Sequence, residues 1–149
     1  MAYVLAACPR VALPTLERVL DGRAALLPVH TLEDAIALLA CDERIELVVA
    51  GMHFNESRMF DLLRYVRHAF PLMPFVSCRV LKTRLAPASI DAVGMSSSSL
   101  GAVAHFDVPT ESQTLGTQGA EEAFRSLLLS HLPAARPRHG PAAWRSVAA

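Results

Sequence analysis

Residues 45–54, IELVVAGMHF, form the stretch of sequence that decides the fold class. Its apolar run is interrupted only by Glu46 and ends at Gly51. A short, mostly continuous apolar run is typical of a strand that is covered on both faces of a sheet. In open α/β sheets, functional residues lie at the carboxyl ends of such strands. Gly51 therefore marks the edge of the sheet at which a site is expected.

Four further apolar runs of this kind alternate with segments of helical periodicity. The five predicted strands span residues 3–7, 25–29, 45–50, 74–78 and 103–107. A helix is predicted after each strand, and the last two helices span residues 88–100 and 120–132. With right-handed crossovers, this order predicts an α/β fold with a doubly wound, five-stranded parallel sheet. The predicted architecture is a flavodoxin-like (βα)5 three-layer sandwich.

Capping residues help to place the first three helices. Pro14 suits the first turn of a helix that ends at Gly22. Thr31 and the acidic residue three positions later resemble a capping box. The helix after the third strand is expected to be capped by Asn55 or Ser57.

Composition limits the class of protein. The chain has 149 residues, of which 52% are hydrophobic, and this suits one domain. Its 14 basic and 14 acidic residues balance, so nothing in the charge favours nucleic acid or an anionic membrane as a partner. No apolar run reaches the roughly 20 residues of a spanning helix, and the first residues lack the basic start of a signal peptide. Cys8, Cys41 and Cys78 have no paired spacing, which predicts reduced thiols and a cytoplasmic location.

The composition also divides the chain into two parts. Residues 1–132 carry the alternating pattern and form the predicted domain. Residues 133–149, PAARPRHGPAAWRSVAA, are predicted to be a disordered tail. Trp144 leaves two interpretations open for this tail, a docking peptide anchored by Trp and Arg or a plain disordered end. The other residues that favour docking are Arg136, Arg138, His139 and Arg145.

Residues 2–132 resemble the receiver domain of bacterial two-component response regulators. The resemblance lies in spacing and in the order of strands and helices. Residues 4–9 overlie the acidic end of the family's first strand, and residues 51–64 overlie its D-x-x-M-P-x-M-D-G turn and the helix after it. Residues 74–79 overlie the strand that ends in a switch Thr or Ser. Residues 101–109, GAVAHFDVP, overlie G-A-x-x-Y/F-L-x-K-P and form the most specific match.

The same overlay indicates that each reactive position of the family has changed. Mg²⁺ needs oxygen ligands, and phosphoryl transfer needs positioning and charge neutralisation. Neither requirement is met, so we expect a degenerate receiver with no enzyme activity, no metal and no cofactor. Ala6 and Ala7 replace the Mg²⁺-binding acids, Gly51 replaces the phosphate-accepting aspartate, Val108 replaces the lysine, His105 stands at the switch aromatic, and Arg79 replaces the switch hydroxyl, or Cys78 does if the register slips by one.

Other chemistry finds weaker support in the sequence. The histidines and cysteines expected near this edge, His53 among them, lack the tight pairs of a structural zinc site. Cys8 and the proline after it resemble a dipeptide of some haem-sensing sites, but no second ligand is indicated. No serine has the Gly-x-Ser-x-Gly context of a hydrolase nucleophile. Arg79 is interpreted either as a cation that points into the vacated pocket and holds an anion or as a solvated loop residue.

These observations predict a stand-alone pseudo-receiver that transmits signals through phosphorylation-independent protein–protein interaction. The resemblance implies that a protein partner and a second copy of the chain bind the face of the fourth helix, fifth strand and fifth helix. The segments of this face are residues 89–100, 103–107 and 120–132. The alternative is a sensor that binds a small anionic ligand in the vacated pocket. The pocket residues would be Ala6, Ala7, Gly51 and Val108, with Arg79, His105 or His53 as polar contacts.

Overall fold

Five parallel strands form a single sheet in the order β2-β1-β3-β4-β5. The structure is a computed structural model, and it describes residues 1–133. The strands are β1 (Tyr3–Ala7), β2 (Ala25–Val29), β3 (Ile45–Gly51), β4 (Phe75–Arg79) and β5 (Ala104–Asp107). This topology confirms the predicted doubly wound sheet. The predictions made for residues 134–149 lie outside the described residues.

A helix follows each strand, as the sequence predicts. The helices are α1 (Leu13–Leu20), α2 (Leu32–Cys41), α3 (Met59–Ala69), α4 (Pro87–Ser99) and α5 (Val108–His131), with a 3-10 turn at Arg10–Ala12 before α1. Within residues 1–133, no helix combines the length and the apolar character that crossing a membrane requires.

Alternate residues of each strand face opposite layers of helices, which produces two hydrophobic cores. One core joins the sheet to α1 and α5 through Leu16, Val19, Phe124 and Leu128. The other core joins it to α2 and α3 through Leu32, Ala35, Leu62 and Val66. The fourth helix contributes little to either core, because Ser97 is its only buried residue. The face that contains α4 is therefore the most open part of the sandwich.

The last helix begins much earlier than the predicted residue 120. Asp107 accepts a hydrogen bond from the backbone N–H of Thr110 at 3.0 Å, and Pro109 lies in the first turn, so the helix starts directly after β5. Gly116 has non-helical backbone angles (φ 75°, ψ 168°) and divides α5 into two helical parts. The first part was missed because it lacks an apolar face.

The structure confirms the predicted cap of α2 and contradicts the predicted cap of α3. Thr31 accepts a hydrogen bond from the N–H of Asp34 at 3.1 Å, which confirms it as the cap of α2. Neither Asn55 nor Ser57 caps α3, so that prediction is wrong. The side chain of Asn55 instead accepts a hydrogen bond from the N–H of Leu32 at 2.7 Å, which ties the β3–α3 loop to the start of α2.

Candidate functional site

The site predicted from the sequence lies at the carboxyl edge of the sheet. The chain reverses its direction of winding between β1 and β3, and ligands bind open α/β sheets at this kind of switch point. Ala7 lies beside Ala50, Gly51 lies beside Cys78, and Arg79 lies beside Asp107. The strand register thus brings the ends of β1, β3, β4 and β5 together.

Neither the backbone conformation nor steric crowding at this edge requires a glycine at position 51. A Cβ atom added to it would lie 3.9 Å from Cβ of Cys8, Cδ of Pro9 and the carbonyl oxygen of Ala7. These are ordinary van der Waals contacts. The fold therefore leaves room for a Cβ atom at the position where the resemblance places the phosphate-accepting aspartate.

Apolar groups surround Gly51. Ala6, Ala7, Cys8 and Cys78 are all fully buried. Burial raises the pKa of the Cys8 thiol to about 11 and also raises the pKa of Cys78, with a smaller contribution from Cys8. Both thiols are therefore protonated at neutral pH and are poor metal ligands. In the part of the chain that the structure describes, no cluster of three or more His, Cys, Asp or Glu side chains is arranged to hold a metal ion.

A disulfide between the two buried cysteines is excluded by the strand order. Cys8 directly follows β1, Cys78 lies in β4, and β3 runs between them. Two strand spacings place the Cα atoms about 9.6 Å apart, whereas a disulfide needs about 4.4–6.8 Å. Both cysteines are free, which agrees with the predicted reduced thiols.

Arg79 forms a buried ion pair with Asp107. Its Nη1 atom donates to both carboxylate oxygens, at 3.0 and 3.2 Å, and its Nη2 atom donates to the carbonyl oxygen of Thr83 at 3.0 Å. The exposed fractions of the two side chains are 6% and 12%. The interpretation of Arg79 as a solvated loop residue is therefore wrong. The guanidinium is buried, but its hydrogen-bond donors already bind a carboxylate of the same chain.

Thr83 also contacts His53, the second residue after Gly51, so it links the end of β3 to the end of β4. Nε2 of His53 lies 3.2 Å from the hydroxyl oxygen of Thr83, whose carbonyl oxygen accepts from Arg79. The loop between β4 and α4 is thereby held against the edge of the sheet. A single threonine in a loop gives no signal in the sequence, and this contact was not predicted.

His105 forms a second polar pair that the sequence did not predict. Its Nδ1 atom lies 2.6 Å from the hydroxyl oxygen of Ser77, because neighbouring strands place the two residues side by side. Its Nε2 atom is buried and has no hydrogen-bond partner among the described residues. Burial lowers the pKa of His105, while the charge of Asp107 acts in the opposite direction. Because Ser77 is fully buried, this pair cannot present a nucleophile to a substrate.

The imidazole of His105 forms the floor of a surface groove between α4, β5 and the start of α5. The groove has a volume of about 770 Å³, and its lining includes Ile90, Asp91, Gly94, Met95, His105 and Thr110. Gly94 allows the ring to approach α4, since a Cβ atom there would lie 3.1 Å from Cδ2 of His105. We call this feature the α4–β5–α5 groove. Two apolar side chains on this face are exposed, Met95 at 71% and Val103 at 46%.

Comparison with protein-family models and with curated proteins yields no match. Solved structures do match. The phosphorylated cyanobacterial phytochrome response regulator RcpA superposes with a TM-score of 0.64 at 11% identity, over 85% of this chain and 90% of that chain. An orphan response regulator of H. pylori gives a TM-score of 0.64 at 13% identity, over 89% and 97%. A response regulator receiver protein from Pseudomonas putida gives 0.56 at 21% identity, over 72% and 86%.

The chain has the receiver-domain fold. The resemblance expected from the sequence is thus confirmed for the architecture. The receiver fold brings Ala6, Ala7, Gly51 and Arg79 to one edge of the sheet, with Val108 directly after β5. Their correspondence to the reactive positions of receiver domains stays a prediction.

Proposed function

We propose that this chain acts in signal transduction as a receiver-fold protein that works through protein–protein contact and without phosphorylation. One observation carries the proposal. Among the residues that end or directly follow the five strands, all of them within the described part, Asp107 is the only carboxylate. It already accepts hydrogen bonds from Arg79 and from the N–H of Thr110.

The chemistry of phosphorylation supports the same proposal. A receiver needs a carboxylate nucleophile and a Mg²⁺ ion that neutralises the transferred phosphoryl group. The side chains around Gly51 are methyl and thiol groups and the ring of Pro9, and none of these is a ligand for Mg²⁺. Neither strain nor crowding requires a glycine at position 51, so the absence of a carboxylate at the acceptor position that we propose there is a property of the sequence and not a demand of the fold.

Intact-mass spectrometry of the full chain tests the first half of the proposal. The chain is incubated with acetyl phosphate and Mg²⁺, and its mass is expected to stay unchanged. Gly51→Asp is the matched variant, and it is expected to stay unmodified as well, because Ala6 and Ala7 give the metal no ligand. A receiver domain that retains its aspartate serves as the positive control. A phosphoryl adduct on the unmodified chain would contradict the proposal.

The α4–β5–α5 groove is the surface that we propose for a protein partner or for a second copy of the chain. Met95 and Val103 place exposed apolar area on this face, Ser97 is the one buried residue of α4, and every residue of β5 is partly exposed. Association would remove that apolar area from water, which is the main source of binding free energy at protein interfaces.

Two matched substitutions that introduce a charge test the proposed protein-binding surface. Met95→Glu places a carboxylate on the proposed surface, whereas Leu72→Glu places one on a distant residue that is 79% exposed. We expect Met95→Glu to abolish both dimer formation in sedimentation and capture of partner proteins, and Leu72→Glu to leave them intact. Equal behaviour of the two variants would mean that partners use another surface.

The alternative of a small anionic ligand in the vacated pocket gains no specific support. Arg79 would have to exchange Asp107 for the ligand, and Ala6 and Ala7 are fully buried. A melting shift with small anions that Arg79→Ala abolishes would favour it.

A further inference from the structure

Three consecutive residues between β3 and α3 adopt a left-handed backbone conformation, although none of them is a glycine. Their φ angles are 44° at Asn55, 56° at Glu56 and 68° at Ser57. Residues that carry a Cβ atom avoid this region for steric reasons and visit it singly, not in runs. We call residues 54–58 the left-handed turn. It stores backbone strain, and strain of this kind is typical of switches and ligand clamps.

The left-handed turn is closed on the backbone and exposed at its centre. The N–H of Arg58 donates to the carbonyl oxygen of Phe54 at 2.8 Å. Phe54 is fully buried and anchors the turn in the core. Glu56 and Ser57 are exposed, so they can change their conformation without opening that core.

One side chain ties the left-handed turn to the neighbouring helix. Oδ1 of Asn55 accepts a hydrogen bond from the N–H of Leu32, the first residue of α2, at 2.7 Å. Arg58 adds only exposed ion pairs, at 3.4 Å to Glu33 and at 3.3 Å to Asp61, and exposed pairs contribute little. The bond from Leu32 to Asn55 is therefore the main contact that holds the strained turn against α2.

The start of α3 lacks the contacts that usually complete a helix. No side chain caps it, and within residues 1–133 the N–H groups of Met59, Phe60 and Asp61 have no hydrogen-bond acceptor. Relaxation of the turn to extended backbone would place Ser57 at the N-cap position. Its hydroxyl oxygen would then accept from the N–H of Phe60, and its carbonyl oxygen would accept from the N–H of Asp61.

We infer that the left-handed turn is a two-state switch, in which either Asn55 binds the start of α2 or Ser57 caps the start of α3. The change breaks the bond to Asn55 and the bond that closes the turn, and it forms two bonds to Ser57. The number of hydrogen bonds is thus conserved. The bond from Leu32 is partly buried and costly to lose, whereas relaxation releases strain at three residues. These opposing effects keep the two arrangements close in free energy.

The switch links the carboxyl edge of the sheet to α2 and α3 without a phosphoryl group. The left-handed turn begins three residues after Gly51, and its release frees the start of α2. A partner that prefers one arrangement shifts the population toward that arrangement. Both arrangements are measured on the chain alone, so the switch stands or fails independently of the partner surface proposed on α4 and β5.

Amide hydrogen exchange, followed by NMR on the full chain, measures the two arrangements separately. Asn55→Ala removes the acceptor of Leu32, so we expect about tenfold faster exchange of the Leu32 N–H. The N–H groups of Phe60 and Asp61 should exchange more slowly, because Ser57 then binds them. Asn55→Asp keeps an oxygen acceptor and is the matched control, with exchange as in the unmodified chain. The N–H of a residue within the sheet serves as the reference for global unfolding.

Glycine substitutions test the strain itself. Glu56→Gly permits the left-handed conformation at no steric cost, so we expect slower exchange of the Leu32 N–H and a higher melting temperature. Asp21→Gly is the matched control, because Asp21 is also left-handed, with a φ of 49°, but lies at the end of α1. It should raise the melting temperature and leave the exchange of Leu32 unchanged.

Three results would overturn the inference. The first is exchange of the Leu32 N–H that Asn55→Ala leaves unchanged, since Asn55 would then hold nothing in place. The second is faster exchange at Leu32 without protection gained at Phe60 or Asp61, which would mean that the turn has no second arrangement. The third is protection of Phe60 that persists when Ser57→Ala is added to Asn55→Ala, because Ser57 would then not be its cap.

Discussion

Gly101 and Gly51 illustrate how a single residue is constrained in this protein. Gly101 has a φ of +105°, a conformation that side-chain-bearing residues rarely adopt. A Cβ atom there would also lie 2.6 Å from Cδ of Arg67, which packs across it. Gly51 meets neither restriction. Gly101 is therefore required by the fold, while Gly51 is not.

Replacing these glycines by alanine is expected to have unequal effects. Gly101→Ala should lower the free energy of unfolding by about 1–3 kcal/mol, because it adds backbone strain and displaces Arg67. Gly51→Ala should change it by less than about 1 kcal/mol, because its backbone is compatible with alanine. Urea unfolding followed by far-UV circular dichroism measures both values. A Gly101→Ala variant as stable as Gly51→Ala would show that Arg67 moves away at no cost.

His105 is expected to make stability depend on pH. Burial lowers its pKa in the folded chain below the ordinary value of 6.5, so the unfolded chain binds more protons as the pH falls through that value. The free energy of unfolding therefore rises with pH in this window. The contribution of His105 is fully present above pH 6.5 and is lost as the pH falls toward the folded pKa.

Urea unfolding between about pH 5 and pH 8 measures this dependence, in the range where histidine titrates. His105→Gln keeps a polar partner for Ser77 and removes the titration, so its stability should fall less steeply below neutral pH. Identical slopes for the variant and the unmodified chain would assign the acid sensitivity to other groups.

Three elements meet at the ion pair between Arg79 and Asp107. Arg79 ends β4, Asp107 ends β5, and the same carboxylate caps the first turn of α5 through Thr110. The pair is almost fully buried, so each charge depends on the other for stabilisation. This one contact sets where two strands end and where the last helix begins.

A double-mutant cycle measures the strength of this coupling. Asp107→Asn keeps an oxygen that can cap α5 but leaves the buried guanidinium uncompensated, so we expect a loss of about 3 kcal/mol or more. Adding Arg79→Met to that variant should restore part of the stability, because the uncompensated charge is removed. Additive losses in the double variant would mean that the two side chains stabilise the elements independently.

At the scale of the whole molecule, the ends of four strands from distant parts of the sequence build the carboxyl edge of the sheet. We expect this edge to bind Mg²⁺ once carboxylates are placed on it. The triple variant Ala6→Asp, Ala7→Asp and Gly51→Asp should melt at a lower temperature than the unmodified chain, because it places acids at buried positions. Mg²⁺ should raise that temperature, because it binds the folded state.

Thermal melting with and without Mg²⁺ measures both effects of the triple substitution. The matched control carries asparagine at the same three positions, which keeps the side-chain size and removes the charge. Neither this control nor the unmodified chain should respond to Mg²⁺. An equal upward shift for the unmodified chain would reveal a metal site that its own residues provide.

The outline of the fold was predictable because each element carries its signal locally. Short apolar runs place both ends of each strand from β1 to β5 to within one residue, and strict alternation of strands with helices predicts a parallel sheet. Thr31 was identified as a cap because its partner lies three residues away. The first half of α5 was missed because its start depends on a side-chain cap and a proline, while its residues lack an apolar period.

The amino-acid sequence by itself determined the architecture and the absence of acidic residues at the ends of β1, β3 and β4, because periodicity and missing functional groups are visible without coordinates. Only the tertiary structure decided how the polar residues are paired. Ser77 lies beside His105, and Arg79 lies beside Asp107, across a separation of 28 residues in each case. Such pairs depend on the register of neighbouring strands. That register is the outcome of packing over the whole sheet, and no local stretch of sequence carries it.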